Sequence, residues 1–93
     1  MSPGITIIGL GPGGAEQITL EAWRALERAD EVYLRTRHHP TVAHLPPAPQ
    51  YYSFDEIYEA HASLNEVYEQ IARALIELGR RPQGVVYAVP GHP

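Results

Sequence analysis

The order of the apolar segments most limits how this chain can fold. Residues 5–10 (ITIIGL), 31–35 (EVYLR), 51–54 (YYSF) and 84–89 (GVVYAV) are short and rich in β-branched or aromatic residues, which favour strands. Residues 5–10 are apolar on both faces, which predicts a strand buried on both sides. Segments with helical spacing lie between the strands. Strands that alternate with helices form a parallel sheet through right-handed crossovers, so the sequence predicts one small α/β domain.

Helix signals lie between the first two predicted strands and again between the last two. Thr19 can cap a helix over residues 20–29, where apolar residues recur at steps of three. Asp55 is expected to cap a short helix. Ser63 opens a capping box before a longer helix, whose apolar stripe over residues 64–78 predicts a face turned to the core.

Turns rich in Gly and Pro follow the first and last predicted strands. Residues 11–14 read GPGG and residues 90–93 read PGHP. In parallel α/β sheets, ligand-binding loops collect at the carboxyl ends of the strands. We therefore expect a ligand site there, together with residues 35–39 (RTRHH) and 54–55. The basic residues among them could meet an anionic substrate or form a solvated loop.

Residues 9–14 also match the dinucleotide-binding pattern G-x-G-x-x-G. Three details weigh against that function. The probable helix cap, Thr19, lies five residues beyond the glycines, and Pro12 removes a backbone N–H that could cradle a phosphate. An acidic residue for a ribose hydroxyl is also missing, although Arg35 could suit the 2′-phosphate of NADP. NADP binding and a purely structural glycine turn both stay open as alternatives.

Composition disfavours several other classes of function. The chain has 7 Lys and Arg against 11 Asp and Glu, a net charge of −4, which disfavours a nucleic-acid-binding surface. No apolar run approaches the roughly 18 residues of a membrane-spanning helix. The chain has no cysteine, which excludes disulfides and fits a cytoplasmic protein. In the pairs Glu56/Glu59 and Glu66/Glu69, Glu66 is best explained by the capping box and the other three by solvated helix faces, so we predict no metal site.

The motifs resemble a known family. Residues 9–14 with residues 17–22 (QITLEA) resemble the opening motif of the tetrapyrrole methylases, which are S-adenosylmethionine (SAM) dependent methyltransferases of class III. Residues 31–36 with residues 39–42, and residues 86–93, resemble the methylase-like domain fused to MazG-type nucleoside-triphosphate pyrophosphohydrolases. The resemblance runs through all 93 residues.

The resemblance implies a fold, a function and partners. Residues 1–93 would be the N-terminal part of a tetrapyrrole methylase domain, a three-layer α/β domain with a parallel sheet, truncated after the fourth strand and without its C-terminal domain. The chain would form part of a cleft for SAM and a small-molecule substrate such as a tetrapyrrole, and would be inactive alone. We expect a cytoplasmic homodimer, with a pyrophosphohydrolase as a possible fused or partner domain. The alternative is a non-catalytic dimerisation or regulatory module of such a fusion.

The resemblance also implies the cofactor-binding residues, which belong to the turns after the first and fourth strands. His92 stands where the family usually has Asp, and neutral His brings no fixed negative charge for the ammonium group of SAM. No catalytic residue is assigned, because methyl transfer from SAM mainly requires alignment and exclusion of water. The expected cofactor-binding residues are Gly11, Pro12, Gly13, Pro90, Gly91, His92 and Pro93.

Overall fold

Strands and helices alternate along the chain, as the sequence predicts. The structure is a computed structural model, and it describes residues 3–11 and 18–90. The elements are β1 (Ile5–Gly9), α1 (Leu20–Arg28), β2 (Glu31–Leu34), a 3₁₀ helix (Pro40–His44), β3 (Gln50–Ser53), α2 (Asp55–Ala60), α3 (Leu64–Gly79) and β4 (Val85–Val89).

The four strands form one parallel sheet in the order β1-β4-β2-β3. The last residues of the two neighbouring strands β1 and β4, Gly9 and Val89, are register partners. On the other side of β4, Ala88 is paired with Leu34 of β2. The carboxyl ends of the strands therefore lie at one edge of the sheet, which confirms the predicted parallel arrangement.

Helices cover both faces of the sheet and make three layers, as expected. One face, here called the α1 face, packs against α1 and the 3₁₀ helix, and the opposite α3 face packs against α2 and α3. The buried core of the α1 face consists of Ile8, Leu10, Leu26, Val32, Leu34 and Ala88. The buried core of the α3 face consists of Phe54, Val67, Ile71, Leu75, Val85, Tyr87 and Val89.

Two of the three predicted helix caps are confirmed. Thr19 Oγ1 accepts a hydrogen bond from the backbone of Ala22 at 3.1 Å. Ser63 Oγ accepts one from the backbone of Glu66 at 3.2 Å. The prediction for Asp55 is wrong, because α2 begins without a side-chain cap and this carboxylate binds the loop after β2 instead. In residues 3–11 and 18–90, the helices are too short or too polar to cross a membrane.

The predicted burial of β1 on both sides is wrong. Ile8 is buried on the α1 face, but Ile5 and Ile7 are 44% and 52% exposed. β1 lies at the edge of the sheet, and α3 reaches it only near the amino end. Short apolar segments look alike at an edge and in the centre of a sheet, so the sequence pattern did not distinguish the two.

Candidate functional site at the carboxyl edge of the sheet

The turns after β1 and β4 begin side by side. The backbone N–H of Leu10 donates to the carbonyl of Val89 at 2.8 Å, which extends the pairing of β1 with β4 beyond the strand ends. Across β4, the N–H of Arg35 donates to the carbonyl of Ala88 at 3.1 Å. Three chain segments therefore leave the sheet at the same level, at the edge where parallel α/β sheets bind ligands.

Gly11 shapes the turn after β1. It is buried and has a φ of +76°, in the left-handed region that favours glycine. Pro90 follows the last residue of β4 and is half-buried. The structure thus brings these two expected cofactor-binding residues to one edge. The other five expected residues, Pro12, Gly13, Gly91, His92 and Pro93, lie outside the described residues.

Asp55 organises the loop after β2. Its Oδ1 accepts a hydrogen bond from Thr36 Oγ1 at 2.7 Å, and its Oδ2 accepts one from the backbone N–H of Arg37 at 2.9 Å. Thr36 Oγ1 in turn accepts a hydrogen bond from the N–H of His38 at 3.0 Å. Burial alone would raise the pKa of Asp55, but these hydrogen bonds to the charged form outweigh burial and lower that pKa. The loop is therefore fastened by an ionised carboxylate.

Two of the four basic residues predicted near this edge have structural roles. Arg37 Nη2 donates to the carbonyl of Tyr51 at 2.9 Å, which ties the loop to β3. His39 Nδ1 accepts a hydrogen bond from the N–H of Thr41 at 3.2 Å and caps the 3₁₀ helix. The cluster is thus neither a uniform anion-binding patch nor a simply solvated loop.

Arg35 is placed differently. It is half-buried, and its Nε donates to the hydroxyl of Tyr87 at 3.3 Å. That hydrogen bond favours the charged form and raises the pKa of Arg35, against the opposing effect of burial. A cation held by the hydroxyl of Tyr87 therefore stands near the carboxyl ends of β2 and β4.

Sequence reasoning missed the roles of Asp55 and Tyr87. Asp55 was assigned to a helix cap because it precedes a helical segment, although it also follows a strand at the ligand edge. Tyr87 is a core residue at 6% exposure, and its hydroxyl also accepts the hydrogen bond from Arg35. In the described part of the chain, no group of three or more acidic or histidine side chains could hold a metal ion.

Comparison with known proteins identifies the family of the chain. Residues 4–93 match the family described as Tetrapyrrole (Corrin/Porphyrin) Methylases. A Bacillus subtilis (strain 168) relative named "Uncharacterized protein YabN" is 45% identical over 94 aligned positions, which cover 100% of this chain and 19% of the relative.

A solved structure supports the same assignment. The crystal structure of uroporphyrin-III-C-methyltransferase from Thermus thermophilus superposes with a TM-score of 0.57 at 28% identity. The match covers 98% of this chain and 36% of that protein. The chain thus spans about a fifth of the Bacillus relative and about a third of the solved methyltransferase. Because the family match runs through nearly all of its residues, the chain belongs to the tetrapyrrole (corrin/porphyrin) methylases.

Proposed function

We propose that the chain forms one wall of the cofactor and substrate cleft of a SAM-dependent methyltransferase, and that it does not transfer methyl groups by itself. The observation that carries the proposal is the left-handed turn at Gly11, held beside the end of β4 by the Leu10–Val89 hydrogen bond. A turn with no side chain in the way allows a ligand to approach the backbone closely.

The chemistry of methyl transfer fits such a site. The sulfonium of SAM is itself a good leaving group, so the protein chiefly aligns the acceptor with the methyl group and keeps water out. The described turns can supply backbone contacts for this purpose. Arg35 supplies a positive charge that would attract an anionic small molecule, for which a tetrapyrrole with its carboxylates is our proposed class.

A titration of SAM tests the proposal. We would titrate this chain and a chimera in which it replaces the matched N-terminal region of the Bacillus subtilis relative, using isothermal calorimetry with SAM and S-adenosylhomocysteine. We expect saturable binding to the chimera and no methyl transfer by the 93-residue chain alone. Absence of binding to both proteins at millimolar SAM would sink the proposal.

Two glycines provide a matched pair for this titration. Gly11 and Gly84 both have left-handed backbones, with φ of +76° and +67°, but Gly84 precedes β4 at the opposite edge of the sheet. Gly11→Val and Gly84→Val should strain the backbone similarly, by about 1–2 kcal/mol. We expect only Gly11→Val to weaken SAM binding, by at least tenfold; an equal loss in both variants would contradict a cofactor role for this turn.

The alternatives remain distinguishable. NADP binding predicts protection by NADP that Arg35→Ala removes, but α1 begins only at Leu20, behind its Thr19 cap, rather than at the glycine turn. This separation favours SAM over a dinucleotide. A non-catalytic module predicts no binding of either cofactor. The fused pyrophosphohydrolase, the homodimer and the cytoplasmic location stay predictions.

A further inference from the structure

Two half-buried arginines, Arg81 and Arg35, lie at opposite edges of the sheet and have different partners. Arg81 precedes β4 at the amino edge, where its Nη1 pairs with Glu31 at 2.9 Å. Its Nε donates to the carbonyl of Leu78 and its Nη2 to that of Gly84, both at 3.0 Å. All three nitrogens of this guanidinium therefore bind the protein itself, and one of the acceptors is a carboxylate.

Arg35 at the carboxyl edge is only partly satisfied. Within residues 3–11 and 18–90, its one hydrogen bond runs from Nε to the neutral hydroxyl of Tyr87 at 3.3 Å. In the same part of the chain, Nη1 and Nη2 donate to no protein acceptor, and no carboxylate pairs with the guanidinium. A cation that is partly removed from water is costly unless an anion or several acceptors compensate it. Two N–H groups of Arg35 are thus available to an anion.

The hydroxyl of Tyr87 is a second polar group beside this guanidinium. Tyr87 is 6% exposed, and its ring packs edge-on against Phe54 with the centroids 5.7 Å apart, so the core fixes the position of the hydroxyl. That hydroxyl accepts from Arg35, but its own proton has no acceptor among the described residues. The hydroxyl of Tyr51, in contrast, donates to the carbonyl of Pro46. Tyr87 can therefore donate a hydrogen bond to a ligand while it holds Arg35.

Tyr58 of α2 lies close to the same guanidinium. It is half-buried and packs against the core of the α3 face, which includes Tyr87. Burial raises the pKa of Tyr58, and the nearby positive charge of Arg35 acts in the opposite direction. We call the place formed by Arg35, Tyr58 and Tyr87 the Arg35 niche. It combines one cation with phenol groups at the edge where parallel α/β sheets bind ligands.

The charges around the Arg35 niche indicate which anion fits it. Asp55 and Glu56 form the acidic first turn of α2, three and two residues before Tyr58. Their charges disfavour a doubly charged phosphate more than a singly charged carboxylate. The free Nη1 and Nη2 of Arg35 also present two N–H groups side by side, which matches the two oxygens of a carboxylate. A carboxylate therefore fits better than a phosphate.

We propose that Arg35 and Tyr87 bind one carboxylate of the methyl-acceptor substrate and thereby fix its orientation at the ligand edge. Nη1 and Nη2 of Arg35 donate to the two oxygens, and the hydroxyl of Tyr87 donates to one of them. Tyr87 also positions the guanidinium through its bond to Nε. The inference rests on the proposed function for the presence of a substrate at this edge, but the binding that it describes does not require SAM.

A titration with two porphyrins of opposite charge tests the proposal. Uroporphyrin III carries several carboxylates, whereas a porphyrin with N-methylpyridinium substituents carries positive charges on the same macrocycle. Binding to the chimera with the Bacillus relative would be followed by fluorescence at fixed ionic strength and without SAM. The variants are Arg35→Gln, Arg35→Lys and Tyr87→Phe. The matched controls are Arg24→Gln, at an exposed position of α1, and Tyr52→Phe, whose hydroxyl donates to Gln50 instead.

We expect uroporphyrin III to bind the parent chimera and both Arg35 variants to weaken this binding by at least about tenfold. Tyr87→Phe should weaken it by about three- to tenfold, because the ring stays in the core and only the hydroxyl is lost. Both controls should stay within about twofold of the parent, and the cationic porphyrin should not bind more weakly to the variants. Full binding by Arg35→Lys, or an equal loss in Arg24→Gln, would overturn the proposal, since a point charge would then suffice.

Competition with small anions tests the choice of carboxylate. Benzoate should displace uroporphyrin III from the parent chimera more effectively than phenyl phosphate does. Stronger displacement by phenyl phosphate would mean that the Arg35 niche selects phosphate, and the proposal would be wrong. If Tyr87→Phe disturbs folding, which circular dichroism would show, Arg35→Lys still decides the matter, because Arg35 lies outside both core clusters.

A separate titration of the parent chimera with SAM distinguishes this inference from the proposed function. If SAM binds but the Arg35 variants bind uroporphyrin III as well as the parent does, the carboxylate site is wrong and the methyltransferase function stands. If SAM does not bind while uroporphyrin III binding depends on Arg35, the carboxylate site stands and the methyltransferase function falls.

Discussion

The two edge strands of the sheet, β3 and β1, differ in how well their side chains are packed. At the β3 edge, the ring of Tyr52 stacks on Tyr33 at 5.0 Å, and Phe54 is buried where the strand ends. At the β1 edge, Ile5 and Ile7 are about half exposed, and within residues 3–11 and 18–90 only the end of α3 reaches this strand on that face. Both edge strands have one side unpaired in the described part of the chain, but β3 carries packed aromatic side chains and β1 carries partly uncovered aliphatic ones.

This difference separates a well-packed edge strand from one whose side chains are partly uncovered. Natural proteins usually protect edge strands with charges, bulges or covering segments, because the unpaired backbone of an open edge can pair with another chain. β3 is held by the Tyr52–Tyr33 stacking and by the bond of Arg37 to the carbonyl of Tyr51. β1 is held by backbone pairing with β4, by Gly4 at its amino end and by Ile8, which is buried on the α1 face. Its α3 face is therefore the less well covered part of the two edge strands.

The largest difference in the free energy of unfolding is expected between two variants that each truncate one apolar side chain, one at each edge of the sheet. Phe54 is 6% exposed, and its ring centroid lies 5.7 Å from those of both Tyr33 and Tyr87. Phe54→Ala would leave a cavity, and we expect it to lower the free energy of unfolding by about 3–4 kcal/mol. Ile7→Ala should cost less than about 1 kcal/mol. Urea unfolding of both variants measures the difference; similar losses would mean that the edges are equally well packed.

The next largest loss in the free energy of unfolding is expected from a substitution at the contact between α3 and β1. Valine at position 79 would place its branched side chain against Ile5 Cγ1 and the backbone of Gly4, which lie 3.0 and 3.4 Å from the position of a Cβ. We expect Gly79→Val to lower the free energy of unfolding by about 2 kcal/mol through overpacking. Ala72→Val, at an exposed position of the same helix, is the control and should lower it by less than about 1 kcal/mol, which is the cost of valine's lower helix propensity.

The sequence predicted the elements well because their signals are local. Thr19 and Ser63 are caps with side-chain oxygens at the right spacing, and the stripe of α3 from Val67 to Leu75 packs on the sheet as expected. Strand order is not local. Nothing in residues 5–10 shows that β4, which is far along the chain, would pair on one side only. How far a helix extends over the sheet is not local either. The apolar stripe predicted that Leu64 faces the core, but this residue is 60% exposed.

The candidate site was predictable at the level of the turns, and less so at the level of side chains. That Gly11 and Pro90 would lie at the same edge follows from a parallel sheet, because its strands all end there. The pairing of Arg35 with Tyr87 joins residues 52 positions apart, and only the register of β2 on β4 brings them together. Long-range hydrogen bonds of this kind have no signature in spacing or composition.

The smallest predicted loss of stability concerns the carboxylate of Asp55, which lies shortly after β3 and holds the loop after β2. Asp55→Asn keeps the shape of the side chain but removes its charge, so the hydrogen bonds from Thr36 and Arg37 weaken. We expect the free energy of unfolding at pH 7 to fall by about 1 kcal/mol. Asp30→Asn, at an exposed position before β2, is the matched control and should have almost no effect.

The pH dependence provides the sharper measurement. The pKa of Asp55 is lower in the folded protein than in the unfolded chain, so its stabilisation is fully present above the unfolded pKa of about 3.9. That stabilisation is lost as the pH falls through the folded-state pKa. The stability difference between the parent and Asp55→Asn should therefore narrow in urea titrations as the pH is lowered from 7 towards 3. If the difference stays constant over this range, the carboxylate does not fasten the loop after β2 through its charge.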